Sequence, residues 1–281
     1  MELRRRDGGV VAVDLLGPPD GAPTLFCHGL ADSRRSARQL APVAEERGLR
    51  VIAPDRPGTG GTDLRRLDRV SAWVEDAAEI LDALDIPEAQ LVGVSGGGAF
   101  AAACAALLPS RFRRLVLLAP LGPPEWPTGG MAPWQRRSLA LGARLPGFGG
   151  WFLERLAMLG RCSPPAFFRV VTAELPDADR QALGRQGPRE DFLAGYLDAF
   201  RQGGAGVRQD LRLLTRAWGF DLGDIRVPTV VHHGAADRTV PVEHARLFAS
   251  AIAEARLRVH PGHGHFSLPA DSARWSNDLL G

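Results

Sequence analysis

With 281 residues, 45% of them hydrophobic, the chain can bury a large core as one domain or as one domain carrying an insertion. A formal charge of only +2 gives no electrostatic reason to expect nucleic acid or an anionic membrane surface as a partner. Every Lys/Arg position is arginine, which removes lysine-base and Schiff-base chemistry from consideration. The three cysteines, Cys27, Cys104 and Cys162, are scattered and form no CxxC pair, arguing against a disulfide framework or a zinc knuckle. The opening Met1-Glu2-Leu3-Arg4-Arg5-Arg6-Asp7 is basic but lacks the apolar core of a signal peptide, and no membrane-length apolar run follows. A soluble protein of the reducing cytoplasm is expected.

In chain order, the first part reads as an opening hairpin followed by alternating strands and helices. Val10 to Leu15 is a strand, turned by Gly17-Pro18-Pro19-Asp20-Gly21, and Thr24 to Cys27 is a buried strand. Ser36 to Arg47 reads as helix stopped by Gly48, Arg50 to Ala53 as strand, and Val70 to Leu84 has apolar residues at helical spacing. The strand Ala89 to Val92 leads into Gly93-Val94-Ser95-Gly96-Gly97, with a small-residue helix directly behind it and the strand Arg114 to Leu118 beyond. Short apolar runs alternating with helices predict an α/β architecture, a parallel sheet with helices on both faces. From Leu121 to about Phe220 the pattern changes to short amphipathic helices broken by Pro and Gly, read as a helical insertion over the sheet. Thr229 to Val231 and Leu257 to Val259 restore the strands, with a helix from Glu243 to Ala253 between them and a closing helix from Ser272 to Leu280.

The chemistry centres on the G-x-S-x-G turn. Between a strand and a helix it forces a tight bend that holds the serine hydroxyl clear of the sheet, at a helix N-terminus that favours developing negative charge. Ser95 is therefore the candidate nucleophile. A serine needs a base, usually a histidine oriented by a buried carboxylate. Asp237, in the loop after one late strand, and His265, in the loop after the next, emerge at the same carboxyl edge as Ser95. His263 competes with His265 for the base, and the Gly-His-Phe pattern favours His265. The oxyanion hole is assigned to the N–H groups of Gly96 and Leu30, the latter in the turn His28-Gly29-Leu30; one such donor contributes on the order of 3 kcal/mol. Asp55 and Arg56 read as an internal salt bridge shaping the site wall, Cys27 as a small buried hydrophobe, His232 and His233 as structural, and His28 as a loop-holding ring. His244 and His260 carry no signal. Glu125 could bind a substrate amine, against the simpler reading of a solvent-facing carboxylate. Trp126, Trp134, Phe148, Trp151, Phe152, Phe167, Phe168 and Trp218 read mainly as the insertion's own core, with a few lining an apolar pocket above Ser95.

The chain resembles the α/β-hydrolase superfamily along nearly its whole length. The resemblance rests on His28-Gly29, Asp55-Arg56-Pro57-Gly58-Thr59-Gly60-Gly61-Thr62, the serine elbow with Gly93 and Gly97, His233-Gly234 with Asp237 and Val240-Pro241, and Gly264-His265-Phe266. It implies an eight-stranded, mostly parallel sheet over residues 1–120 and 221–281, a helical cap over 121–220 inserted after the sixth strand, and a Ser95–His265–Asp237 triad. The fold hosts many chemistries, so the substrate is a separate expectation: hydrolysis of a small to medium, mostly uncharged hydrophobic ester through an acyl-enzyme, with no metal or organic cofactor and a homodimer compatible with it. A serine rather than an aspartate at the elbow sets the chain apart from the haloalkane dehalogenase and epoxide hydrolase branches. Cleavage of a C–C bond, lactone or amide, release of an N-terminal proline, lyase or perhydrolase use of the same residues, and ligand reception without turnover all remain open.

Overall fold

The computed structural model describes residues 1–279. Eight strands form one sheet: β1 (Glu2–Arg4), β2 (Val10–Leu16), β3 (Ala22–Cys27), β4 (Leu49–Pro54), β5 (Ala89–Val94), β6 (Phe112–Leu118), β7 (Thr229–Gly234) and β8 (Arg256–His260). Their spatial order is β1-β2-β4-β3-β5-β6-β7-β8; β1 and β2 pair antiparallel, as do β2 and β4, and all other pairs are parallel. This is the expected α/β-hydrolase architecture.

Alternation along the central strands sends side chains to two separate layers. Leu91, Leu115, Leu117 and Val231 point into a core with α2 (Val74–Ala83), α3 (Gly97–Leu107) and α10 (Val242–Ala251), where Trp73, Phe100 and Phe248 are buried. Val92, Val116 and Leu118 point to the opposite face, against α1 (Ala41–Arg47) and the C-terminal Trp275. Helix α3 is buried along almost its whole length, which is why its sequence is alanine and glycine all round rather than amphipathic.

Between β6 and β7 lie α4 (Pro133–Arg144), α5 (Pro146–Cys162), α6 (Pro164–Thr172), α7 (Asp177–Gly184), α8 (Gln186–Ala199) and α9 (Ala205–Leu214), and among the described residues no strand. Phe167, Phe168, Tyr196, Phe200 and Val207 form a core within this segment, joined by Ala31 from the turn after β3. The aromatic expectation needs correction elsewhere. Trp126 packs edge-on against His244 and Phe248 of α10, and Trp218 stacks with Phe220 in the main core; Trp151 and Phe152 are exposed. The side chains of Trp134 and Phe148, and Leu280, lie outside the described residues.

Three helices depart from their expected extents. The segment read as helix from Ser36 begins as a tight 3-10 turn over Arg34–Leu40, because Pro42 near the start of α1 cannot donate a helical hydrogen bond. Residues Val70–Trp73 are likewise 3-10 before α2 begins. The expected closing helix is instead α11 (Ser267–Ala270) followed by two 3-10 turns, Ser272–Arg274 and Ser276–Leu279. Burial of Trp275 against the sheet and the Asp278 contact with Arg258 of β8, at 2.9 Å, fix the path.

Candidate active site

The register of the parallel strands sets Cys27 beside Gly93, Val94 beside Leu118 and Gly234 beside His260. The turns following β3, β5, β7 and β8 therefore open at one edge of the sheet. Ser95 sits in the first turn after β5 with φ +54°, a left-handed conformation costly for a residue with a side chain. The surroundings hold it there. Ser95 N–H donates to Leu118 O at 2.9 Å, and Ser95 O accepts from Leu121 N–H at 3.1 Å. Gly93 and Gly97 make the bend sterically feasible: a Cβ at Gly93 would stand 2.8 Å from the Cβ of Ala101, and one at Gly97 would strike the Cys27 and His28 carbonyls.

Ser95 Oγ lies 3.0 Å from His265 Nε2, and His265 Nδ1 lies 2.7 Å from Asp237 Oδ2. The other Asp237 oxygen accepts the N–H groups of Thr239 and Val240 at 2.8 and 2.9 Å, which fixes the carboxylate plane. Burial works to raise the Asp237 pKa, but the facing His265 and His233 imidazoles overcome it and hold the group well below the usual carboxylate range. For His265, burial works downward, while the negative charges of Asp237 and Asp179 prevail and raise it above its ordinary value. His263 is turned away from Ser95: its Nε2 meets Asp271 at 3.1 Å and its Nδ1 meets Pro261 O at 3.2 Å.

The His28-Gly29-Leu30 turn is anchored from behind. Arg56 Nη1 donates to His28 O at 2.6 Å and Nη2 to Gly29 O at 2.8 Å, so the carbonyls of this turn face the guanidinium. The Leu30 nitrogen comes alongside Gly96, 3.3 Å from where a Cβ on that glycine would stand. Among the described residues neither the Leu30 nor the Gly96 N–H has an acceptor. Two adjacent, unspent donors beside a serine hydroxyl can receive an oxyanion. His28, driven well below its ordinary pKa by burial and by the Arg56 charge, is neutral; its Nδ1 meets Gly29 O at 3.0 Å.

Asp55 and Arg56 do not pair with each other, contrary to expectation. Asp55 pairs with Arg34, which also reaches Asp198 of α8 at 2.9 Å. Arg56 pairs with Asp210 of α9 at 2.8 Å and lies 4.4 Å over the Phe100 ring. Replacing Arg56 by methionine would strand the buried Asp210 carboxylate and release the oxyanion turn. A loss of about 3–5 kcal/mol in urea unfolding is expected.

Several contributors escaped the sequence reading. His233 Nε2 lies 3.4 Å from Asp237 Oδ2 and donates to Val240 O at 3.0 Å, so a second imidazole backs the carboxylate. His244 accepts from Gly122 N–H and meets Pro127 O, both at 2.9 Å, pinning the chain as it leaves β6. Asp32, just beyond the oxyanion turn, is pushed up to about 6 by burial. The His244 partners lie 122 and 117 residues away, and although Asp237 and Val240 follow His233 closely in the chain, a lone His or Asp gives no signal of which group it will face. Glu125 is exposed, while burial pushes the Cys27 thiol up to about 12, leaving it inert at neutral pH. Among the described residues no group of His, Cys, Asp and Glu is arranged to hold a metal ion, and no helix is long and apolar enough to cross a membrane.

Residues 23–271 match the sequence profile of the family described as alpha/beta hydrolase fold. The chain is 32% identical to a 2-hydroxymuconate semialdehyde hydrolase of Pseudomonas sp. (strain CF600), over 92% of this chain and 85% of that protein. It is 29% identical to a putative carbamate hydrolase of Variovorax paradoxus (strain S110), over 94% of this chain and 92% of the other. The solved structure of an esterase from Rhodococcus sp. ECU1013 superposes with a TM-score of 0.72 at 24% identity, covering 100% of this chain and 96% of that one. The chain belongs to the alpha/beta hydrolase family and is an enzyme of the hydrolase class.

Proposed function

We propose that the protein is a serine hydrolase acting on a small to medium, mostly uncharged hydrophobic ester, with Ser95, His265 and Asp237 as its catalytic residues. The observation that carries this reading is the 3.0 Å approach of His265 Nε2 to a hydroxyl held at a strained elbow beside two unspent N–H donors. His265 removes the Ser95 proton as Oγ attacks the acyl carbonyl, and the Leu30 and Gly96 N–H groups receive the resulting oxyanion. Collapse expels the alcohol, which takes the proton from His265 and leaves an acyl-enzyme. A water, deprotonated by His265, attacks this ester, and collapse returns Ser95 and releases the acid. Asp237 keeps the imidazole in the tautomer that presents a free Nε2 and stabilises the imidazolium formed in each step. The helices between β6 and β7 serve as a cap that selects substrates.

Hydrolysis of a carbon–carbon bond next to a carbonyl group is the second reading. The 2-hydroxymuconate semialdehyde hydrolase at 32% identity favours it. The same nucleophile and oxyanion donors would act, but that substrate also carries a carboxylate, and the guanidinium nearest the oxyanion turn, Arg56, is already committed to Asp210 and two carbonyls.

A p-nitrophenyl acyl-chain series assayed beside a 2-hydroxy-6-oxo-dienoate separates the two. The ester reading predicts a burst of p-nitrophenolate stoichiometric with protein and higher kcat/KM on an ester than on the dienoate. A hundredfold preference for the dienoate would replace it with the second reading. Because only neutral His265 accepts the serine proton and its pKa is raised, kcat/KM must fall on the acid side with a midpoint above the ordinary imidazole value of 6.5. A midpoint below 6.5 would contradict this assignment of the base.

A further inference from the structure

Asp179 lies on α7, 86 residues before His265, and belongs to none of the motifs of the triad. Its side chain is fully buried, and its two oxygens collect four donors from one short loop. Oδ2 accepts His265 N–H at 2.8 Å; Oδ1 accepts Phe266 N–H at 3.0 Å, Ser267 N–H at 2.9 Å and the Ser267 hydroxyl at 2.8 Å. Among the described residues no arginine or histidine pairs with it, so the carboxylate is held by this loop alone. The loop is shaped around it. A Cβ at Gly264 would strike the carboxylate, which gives the glycine before His265 its reason, and Gly264 N–H donates to Ser267 Oγ at 2.8 Å. A second contact from the same segment reaches the loop: Phe192 of α8 meets the Phe266 ring edge-on at 5.2 Å.

We propose that Asp179 is a positioning residue for His265, through which the helical insertion sets the location of the catalytic base. The inference rests on the triad reading given above. His265 must satisfy a 2.7 Å contact to Asp237 and a 3.0 Å contact to Ser95 at once, and the backbone nitrogen of that same residue is held from the insertion side. Misplacement by about 1 Å in such an arrangement costs about a hundredfold in rate. An ordinary docking contact would stabilise the insertion without touching turnover, so the two roles part experimentally. The charged and polar groups facing His265 are Asp237 from the β7–α10 loop, Asp179 from α7 and the Ser95 hydroxyl from the elbow; its own loop adds the His263–Asp271 pair. Removing the negative charge of Asp179 takes away one of the influences that raise the His265 pKa.

The test compares wild type, Asp179→Asn, Ser267→Ala and Ser95→Ala on p-nitrophenyl acetate, at a temperature well below the unfolding midpoint of each. Asp179→Asn is expected to lower kcat by about 10- to 100-fold with KM unchanged. Its acid limb in kcat/KM moves to lower pH, and phosphonylation of Ser95 by a fluorophosphonate slows in proportion. Ser267→Ala, which removes one of the four donors, is expected to lower kcat by about fivefold. Folded Asp179→Asn with wild-type kcat and an unmoved acid limb overturns the proposal, however much its unfolding midpoint drops. Should Asp179→Asn not yield folded protein, wild-type kcat in Ser267→Ala overturns it instead. Ester turnover surviving in Ser95→Ala would overturn the triad reading itself, and this inference with it; a dead Ser95→Ala beside a fully active Asp179→Asn would remove the inference alone.

Discussion

Ser95→Ala, His265→Ala and the double variant are expected to fall to one common floor, about five to six decades below wild type in kcat. The reason is geometric. Ser95 Oγ and His265 Nε2 stand 3.0 Å apart and act on the same proton, so either deletion removes the whole nucleophilic route. What remains is the rate due to binding and to the Leu30 and Gly96 donors. Steady-state kinetics on one activated ester, with unfolding curves to show intact folds, measures the floor. Losses that multiply in the double variant would mean that the two side chains work independently, contrary to this account.

Asp237→Asn is expected to cost about four decades in kcat while leaving the protein folded. Its oxygen can still accept the Thr239 and Val240 N–H groups, so the turn before α10 survives. The new amide would face His265 Nδ1 and His233 Nε2 in place of a carboxylate oxygen. It donates where Asp237 accepted. His265 must then carry its proton on Nε2, the atom that should take the proton from Ser95. Loss of the charge also removes the strongest influence raising the His265 pKa, so the residual activity should show its acid limb at lower pH than wild type. Retention of more than a tenth of wild-type kcat would argue that Asp237 only shapes the turn.

How far the site is legible in the sequence follows from how each residue makes its contacts. Gly93, Gly97 and Ser95 can be read because a strand-to-helix elbow leaves no room for other residues, and that steric demand is local. Asp237 and His265 can be read because the loops after parallel strands must open at one edge, so a late Asp and a later His have few other places to be. Parallel pairing of β3, β5, β6, β7 and β8 follows in the same way from buried apolar runs separated by helices. The rest depends on contacts that no local pattern announces. Asp179 and Asp210 look like ordinary acids on amphipathic helices, yet each reaches a loop of the sheet domain 86 or 154 residues away. Adjacency suggests that Arg56 pairs with its neighbour Asp55, whereas the two point to different partners. The C-terminal segment carries helical spacing, but the anchoring of Trp275 against the sheet turns it into successive tight turns.

These long-range contacts have a common sense. The helical insertion reaches the oxyanion turn through Asp210 and Arg56, the 3-10 turn after β3 through Asp198 and Arg34, and the His265 loop through Asp179. Each is a buried or nearly buried carboxylate meeting a fixed donor, the kind of contact that is costly to leave half made. The segment is thereby tied to the sheet at three points around Ser95 and His265.

The central claim is that the Ser95 hydroxyl is made nucleophilic by the side chains the fold gathers around it. Incubation with a fluorophosphonate, followed by intact mass and peptide mapping, tests this most directly. A single adduct per chain, located on Ser95, formed slowly in His265→Ala and absent from Ser95→Ala, is the predicted result. An unlabelled wild-type chain, or an adduct on any other residue, would contradict it.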